Sequence, residues 1–158
     1  APLPAFEGMA DEIREQAKGR VDAFVQCVGT AGSLRGIATR LRTLDKAVRI
    51  IAVEPGESAV LSGRPSGTHK IEGTGAGFKV PLWTEGLADE IQTVSTEEAM
   101  ATARRLAREE GVFAGTSTGA NLAAALRVAA RLGPDQTVVT IAVDSGMKYL
   151  STPLYAGS

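Results

Sequence analysis

The chain has 158 residues, a length that suits one domain, and its 17 Lys and Arg nearly balance its 18 Asp and Glu. No run of like charge occurs, which argues against binding to nucleic acid or to an anionic membrane. No apolar segment approaches the roughly 20 residues of a membrane span, and one cysteine without a Cys/His cluster argues against disulfides and metal sites. We therefore expect a cytoplasmic protein that binds a small molecule and no metal.

The first third of the chain alternates between helix-like and strand-like segments. Apolar periodicity predicts a helix, a strand, a second helix and a second strand at about 6–18, 23–28, 34–41 and 48–53. Lys18-Gly19 is a typical helix stop, and small residues at 29–33 separate the first strand from the helix after it. Residues 23–41 therefore have the pattern of a strand, a tight turn and a helix.

A long connection follows the second strand. Residues 54–86 are rich in Gly, Pro and Ser and have no sustained period, and an unstructured connection of that length is often functional. The part from His69 to Phe78 has three glycines in five positions, so its backbone can approach a ligand closely. We expect this glycine-rich segment to face the crevice at the carboxyl ends of the strands.

The last third predicts two more strands and two helices. The strands are expected at 91–94 and 137–143 and the helices at 95–111 and 117–133. Ser95 and Glu98 have the spacing of a capping box. Short apolar strands alternating with amphipathic helices predict a three-layer α/β fold, with a mostly parallel sheet and helices on both faces.

The turn Gly29-Thr30-Ala31-Gly32-Ser33 has the composition of an anion-binding loop. Small residues expose backbone N–H groups, two hydroxyls add donors, and the following helix contributes partial positive charge. Three interpretations fit: a purely structural turn, a dinucleotide site with Glu54 on ribose, or a site for one phosphate monoester. The glycine spacing departs from G-x-G-x-x-G, which weakens the dinucleotide interpretation.

The segment 28–36, V-G-T-A-G-S-L-R-G, resembles the V-G-T-G-G-T-x-x-G loop that holds the phosphate of pyridoxal 5′-phosphate in the cysteine synthase and cystathionine β-synthase family. Four further segments resemble that family in order and approximate spacing: 52–63, 69–78, 110–120 and 144–152. The resemblance implies a fold-type II pyridoxal-phosphate enzyme, and it covers nearly the whole chain.

The resemblance implies a role for seven residues. The cofactor phosphate would be bound by the loop residues Gly29, Thr30, Ala31, Gly32 and Ser33, with alanine where the family usually has glycine. Ser145 would hydrogen-bond the pyridine nitrogen, and Gly73 would lie near the substrate amine. A neutral hydroxyl does not hold a proton on that nitrogen, so the ring becomes a weaker electron sink that favours β-elimination.

The lysine that such enzymes use to form a Schiff base with the cofactor is not found. In the family it precedes Asp-Arg, and that dipeptide follows none of the five lysines, which are Lys18, Lys46, Lys70, Lys79 and Lys148. The family's substrate-carboxylate loop, T-S-G-N-T-G, is also absent. We therefore expect residues 1–158 to be a carboxyl-terminal cofactor-binding portion that is inactive by itself, with no catalytic residue of its own.

The resemblance implies that the parent enzyme makes L-cysteine from O-acetylserine, or a related activated serine, and sulfide, as a homodimer. Cystathionine β-synthase and serine or threonine dehydratase are alternatives within that chemistry. A dinucleotide-binding domain and an inert domain that binds a phosphate-bearing ligand or a polypeptide are alternatives of other classes. Cys27 is expected to be a buried structural residue, and His69 to fix its loop by a hydrogen bond.

Overall fold

The computed structural model describes residues 3–156, in which helices alternate with parallel strands except that two helices follow one another before the last strand. The four strands are β1 (Ala23–Cys27), β2 (Arg49–Pro55), β3 (Glu90–Val94) and β4 (Val138–Thr140). The four α-helices are α1 (Leu3–Gln16), α2 (Gly32–Leu44), α3 (Thr96–Glu110) and α4 (Thr116–Leu132). Two short 3₁₀ turns cover Gly56–Ser58 and Gly146–Tyr149.

The sheet has the order β3-β2-β1-β4, and all of its neighbouring strands are parallel. The central strand β1 pairs on both sides, with Ala23 opposite Arg49 of β2 and Val138 of β4. Parallel strands end at the same edge of a sheet, so the loops after β1, β2 and β4 meet there.

Helices cover both faces of the sheet, as the sequence predicted. Phe24 and Ile50 are fully buried on the face that packs against α1 and α2. Val25 and Ile51 are buried on the opposite face, against α3 and α4. The continuous apolar composition of β1 and β2 follows from this double burial.

Strand boundaries differ from the prediction at β4. The predicted strand 137–143 pairs only over Val138–Thr140, because the next backbone groups bond to helix α4. The Ile141 carbonyl accepts from the Asn121 side chain, and the Val143 N–H donates to the Thr118 hydroxyl. The long connection is confirmed: after β2 it contains only the turn Gly56–Ser58 before β3 begins.

The predicted capping box of α3 is half formed. The Ser95 hydroxyl accepts from the Glu98 N–H at 3.1 Å, and Gly111 ends the helix in the left-handed conformation. The Glu98 carboxylate instead accepts hydrogen bonds from Arg127 of α4. The glutamate therefore joins two helices and leaves the cap to the serine.

Within residues 3–156, no helix is long and apolar enough to cross a bilayer. The same residues contain no group of three or more His, Cys, Asp or Glu side chains arranged to hold a metal ion.

Two helical glycines lead to opposite stability predictions. A Cβ at Gly119 would collide with the Ala99 backbone, where α3 and α4 pack closely, whereas a Cβ at Gly8 would meet nothing within 4 Å. We expect Gly119→Ala to lower the free energy of unfolding by about 2 kcal/mol or more. We expect Gly8→Ala to raise it by about 0.5–1 kcal/mol, since alanine loses less backbone entropy. Urea unfolding measures both, and equal effects would contradict the close helix contact.

Candidate functional site

The anion-binding loop predicted at 29–33 connects β1 to α2 at the carboxyl edge of the sheet. Ala31 adopts the left-handed conformation with φ 66° and is buried, and it precedes α2 without a side-chain cap. The Gly32 N–H donates to the Thr30 hydroxyl at a long 3.4 Å. N–H groups in the first turn of a helix have no acceptor within the helix, so this turn can satisfy them with an anion.

The glycine-rich segment after β2 packs directly on this loop. A Cβ at Gly29 would collide with the Gly73 carbonyl oxygen, and the Gly75 N–H donates to the Val28 carbonyl at 3.2 Å. Gly73 and Gly75 both have positive φ, at 74° and 58°. The two glycine-rich segments thus come together, and only glycine at position 29 permits this approach.

His69 and Thr116 hold the glycine-rich segment in shape. The Ile71 N–H donates to His69 Nδ1 at 3.3 Å, and Nε2 on the other side of the ring donates to the Gly75 carbonyl at 3.2 Å. The Glu72 N–H donates to the buried Thr116 hydroxyl at 3.2 Å. This agrees with the expectation that His69 fixes its loop by hydrogen bonding.

A cavity of about 420 Å³ opens beside the contact between the two segments. Gly29, Thr30 and Gly73 line it, together with a largely apolar wall made of Thr74, Ala76, Phe78, Val80, Pro81 and Leu82. Its volume is in the range of small-ligand sites, which is roughly 300–1,000 Å³. Among the described residues, none of the five lysines lines this cavity.

The remaining loop residues do not line this cavity. Ala31 and Gly32 are buried, and neither lines it. Ser33 is half-buried in the first turn of α2, where its hydroxyl accepts a hydrogen bond from the Gln26 side chain at 2.7 Å.

Ser145 lies after β4, at the same edge of the sheet as the anion-binding loop. Backbone hydrogen bonds on both sides hold it: Gly115 N–H to the Asp144 carbonyl at 3.2 Å, and Gly146 N–H to the Phe113 carbonyl at 3.0 Å. Its exposed hydroxyl accepts from the Met147 N–H at 3.2 Å. Because the Ser145 oxygen accepts this bond, its hydroxyl proton can be donated to a ligand. Ser145 is not among the residues that line the 420 Å³ cavity.

Asp144 and Tyr149 brace the turn that carries Ser145. The Tyr149 hydroxyl donates to Asp144 Oδ2 at 2.7 Å, and Lys148 Nζ lies 3.2 Å from the same oxygen. Burial, followed by the neighbouring Asp144 carboxylate, raises the pKa of Tyr149 above its ordinary value. The phenol therefore stays protonated and remains a donor to Asp144.

Asn121 is a structural residue of the site that the sequence reasoning missed. It is fully buried on α4, its Oδ1 accepts from the Cys27 N–H at 2.6 Å, and its Nδ2 donates to the Ile141 carbonyl at 2.9 Å. One side chain thereby joins the ends of β1 and β4. A lone amide among the alanines of α4 was the available signal, but its partners lie 94 and 20 residues away.

Glu54 does not fit the ribose role of the dinucleotide interpretation. Its carboxylate is buried and accepts from the Leu61 N–H at 2.7 Å, the Ser62 N–H at 2.9 Å and the Ser62 hydroxyl at 2.5 Å. These three bonds use the carboxylate to shape the connection after β2. The alternative of a dinucleotide site therefore loses its ribose-binding residue.

Cys27 is buried at the end of β1, as expected for a structural residue. Its thiol lies 3.8 Å from the Ser117 carbonyl oxygen, and burial raises the pKa of the thiol to about 12. A thiol with that pKa is a poor nucleophile at neutral pH.

Comparison with known proteins places these features in one family. A family model described as "Pyridoxal-phosphate dependent enzyme" matches residues 3–144. A cysteine synthase of Staphylococcus aureus (strain N315) is 43% identical over 146 residues, which are 92% of this chain and 47% of that protein. The chain thus spans about half the length of the curated relatives it matches.

Solved structures agree with the sequence relatives. O-acetylserine sulfhydrylase isoform 3 from Entamoeba histolytica superposes with a TM-score of 0.92 at 40% identity, over 99% of this chain and 47% of that one. The O-acetylserine-dependent cystathionine β-synthase from Helicobacter pylori gives 0.90 at 36% identity, over 98% of this chain and 50% of that one.

The Cys27 thiol should be inert in the folded protein. At pH 8 a thiol with a pKa of about 12 is ionised in only about one molecule in ten thousand. We expect a disulfide-exchange reagent to label native protein at least about 100-fold more slowly than protein unfolded in urea. Labelling of the native thiol at the unfolded rate would show that Cys27 is accessible and ionised.

Proposed function

The chain belongs to the family of pyridoxal-phosphate dependent enzymes, and from that premise we propose that it carries the cofactor-binding residues of an enzyme that makes L-cysteine. In the proposed reaction, the bond between the β-carbon and the ester oxygen of O-acetylserine breaks, acetate leaves, and sulfide forms a C–S bond at the β-carbon. The observation that carries the proposal is the loop before α2: its helix start is uncapped with Ala31 in the left-handed conformation. In the same loop Gly29 packs on Gly73 beside a cavity of ligand size.

The loop residues fit a phosphate monoester. In the proposal, the N–H groups at Gly29 to Ser33 and the hydroxyls of Thr30 and Ser33 donate to the phosphate oxygens, and the dipole of α2 stabilises the negative charge. Gly29 has no side chain, so both a ligand and the Gly73 carbonyl can approach the backbone of Gly29. Ala31 supplies an N–H group as glycine would. Its left-handed backbone conformation costs conformational energy that glycine would not lose.

Ser145 and Gly73 complete the proposed set. Bound pyridoxal phosphate supplies an electron sink for negative charge at the α-carbon of an amino acid. The Ser145 hydroxyl would donate a hydrogen bond to the ring nitrogen without protonating it, which keeps the sink weak and favours β-replacement. Gly73, which lines the cavity, would leave room for the substrate amine.

We propose that the catalytic lysine lies outside these 158 residues. Lys148 is the lysine nearest to Ser145 in sequence, and it pairs with Asp144 at 3.2 Å. The absence of lysine from the described cavity lining supports the same view. Residues 1–158 would then form a carboxyl-terminal portion that binds the cofactor phosphate and ring nitrogen, while the remaining part of the enzyme supplies the lysine and the substrate-carboxylate loop.

Related substrates remain the main alternatives. The H. pylori structure is described as an O-acetylserine-dependent cystathionine β-synthase, which takes the same donor. Names of the curated relatives favour cysteine synthase. We further propose a cytoplasmic homodimer. The single buried free thiol fits the reducing compartment in this proposal.

Turnover tests the proposal directly. We expect the full-length protein to bind pyridoxal phosphate and to form cysteine from O-acetylserine and sulfide faster than cystathionine from O-acetylserine and homocysteine. We expect the 158-residue chain with added cofactor to form no cysteine, since no lysine lines its cavity. Chromatographic separation and quantification of cysteine and cystathionine decides both, and turnover by the 158 residues alone would contradict the lysine assignment.

Ser145→Asp tests the ring-nitrogen assignment. A carboxylate would hold a proton on the nitrogen, and we expect kcat for β-replacement to fall at least about tenfold, or about 1.4 kcal/mol in the barrier. The absorbance of the bound cofactor should shift as well. Ser151→Asp is the matched control, because it adds the same charge at an exposed position of the following turn. Unchanged kinetics and spectrum in Ser145→Asp would remove Ser145 from the site.

A further inference from the structure

Gln26 is a buried amide in a strand that is otherwise apolar. Only 6% of its surface is exposed, and it lies in the middle of the sheet on β1. Alternation along the strand places it on the same face as Phe24 and Val28, toward helix α2. A leucine or methionine at this position would match the rest of the strand.

The amide makes one hydrogen bond and leaves one atom without a partner. Gln26 Nε2 donates to the Ser33 hydroxyl at 2.7 Å, a short and therefore well-formed bond. Gln26 Oε1 is buried and has no hydrogen-bond partner among the described residues. A buried carbonyl oxygen without a partner costs stability. The feature that distinguishes Gln26 from other buried amides is its bond to Ser33 in the anion-binding loop.

The hydrogen bond controls the direction of the Ser33 proton. A hydroxyl has one proton to donate, and when its oxygen accepts from Gln26 that proton must point away from the amide. Ser33 belongs to the first turn of α2, where uncapped N–H groups also point out of the helix. The Ser33 proton can then join those N–H groups as a donor to one anion.

We propose that Gln26 is a positioning residue that orients the Ser33 hydroxyl as a donor to the phosphate of the cofactor. The proposal rests on the proposed function, because it takes pyridoxal phosphate as the ligand of this loop. Gln26 itself contacts Ser33 and acts through it. The glutamine lowers the stability of the fold, and its role in phosphate binding explains why it lies in the core.

Gln26→Met separates this role from a structural one. Methionine has nearly the same length and removes both the donor and the unpartnered oxygen. In the full-length protein, we expect the Kd for pyridoxal phosphate to rise about tenfold, while the Kd for pyridoxal, which lacks the phosphate, changes less than twofold. The urea midpoint should stay constant or rise, since the unpartnered oxygen is gone.

Gln92→Met is the matched control. Gln92 is another buried amide with an unpartnered Oε1, but it lies on the edge strand β3 and donates to Glu90. We expect Gln92→Met to leave both Kd values unchanged. Equal losses in the two variants would mean that a general change in the core weakens binding, which would overturn the proposal.

A double-mutant cycle tests whether Gln26 acts through Ser33. Ser33→Ala should weaken phosphate-dependent binding by a similar factor, and adding Gln26→Met to it should cause no further loss. Additive losses would overturn the proposal. If Gln26→Met does not fold, Gln26→Asn keeps the amide but shortens its reach to Ser33, and the same loss of affinity is expected.

The two proposals fail in different ways. If the wild-type protein binds pyridoxal phosphate no more tightly than pyridoxal, the phosphate site of the proposed function is wrong. If the wild type prefers pyridoxal phosphate and Gln26→Met keeps that preference, only the role of Gln26 is wrong.

Discussion

The direct contact between the backbones of Gly29 and Gly73 determines the shape of the candidate site. No side chain fits between them, so the loop after β1 and the long connection after β2 meet through main-chain atoms alone. Backbone contacts of this kind expose N–H groups and leave space for a ligand beside them. The cavity of about 420 Å³ lies along this contact. Further side chains of the site hold the segments around this contact in place.

Polar side chains that are buried or half-buried hold these segments in place. His69 bridges two backbone groups within the glycine-rich segment, and Thr116 anchors the segment to α4. Asn121 joins the ends of β1 and β4 from the same helix. Such groups are costly to bury unless they are hydrogen-bonded, and here their partners are main-chain groups that no strand or helix satisfies. The carboxyl edge of the sheet is therefore ordered by α4 as much as by strand pairing.

The proposed cofactor-binding groups lie on the loops that follow two neighbouring strands. The loop after β1 presents donors for the phosphate, and the turn after β4 presents the Ser145 hydroxyl, braced by Asp144 and Tyr149. Because β1 and β4 are parallel neighbours, the phosphate-binding loop and Ser145 lie at the same edge of one rigid sheet. A cofactor held at both ends would keep its orientation while residues elsewhere in the enzyme carry out proton transfer.

Local pattern in the sequence determined the elements and the family motifs. Apolar runs predicted the buried strands, helical period and Ser95 predicted α3, and small residues predicted the turn at 29–33, because each depends on neighbours a few residues apart. Only the tertiary structure decided which side chains share a hydrogen bond. Glu54 binds Leu61 and Ser62 where the sequence allowed a ribose, Glu98 binds Arg127 where it allowed a full capping box, and Gln26 binds Ser33. These pairings depend on two things: which strands become neighbours, and which polar groups are left without a partner once the core has packed. No local period in the sequence encodes the strand order or the unpaired groups.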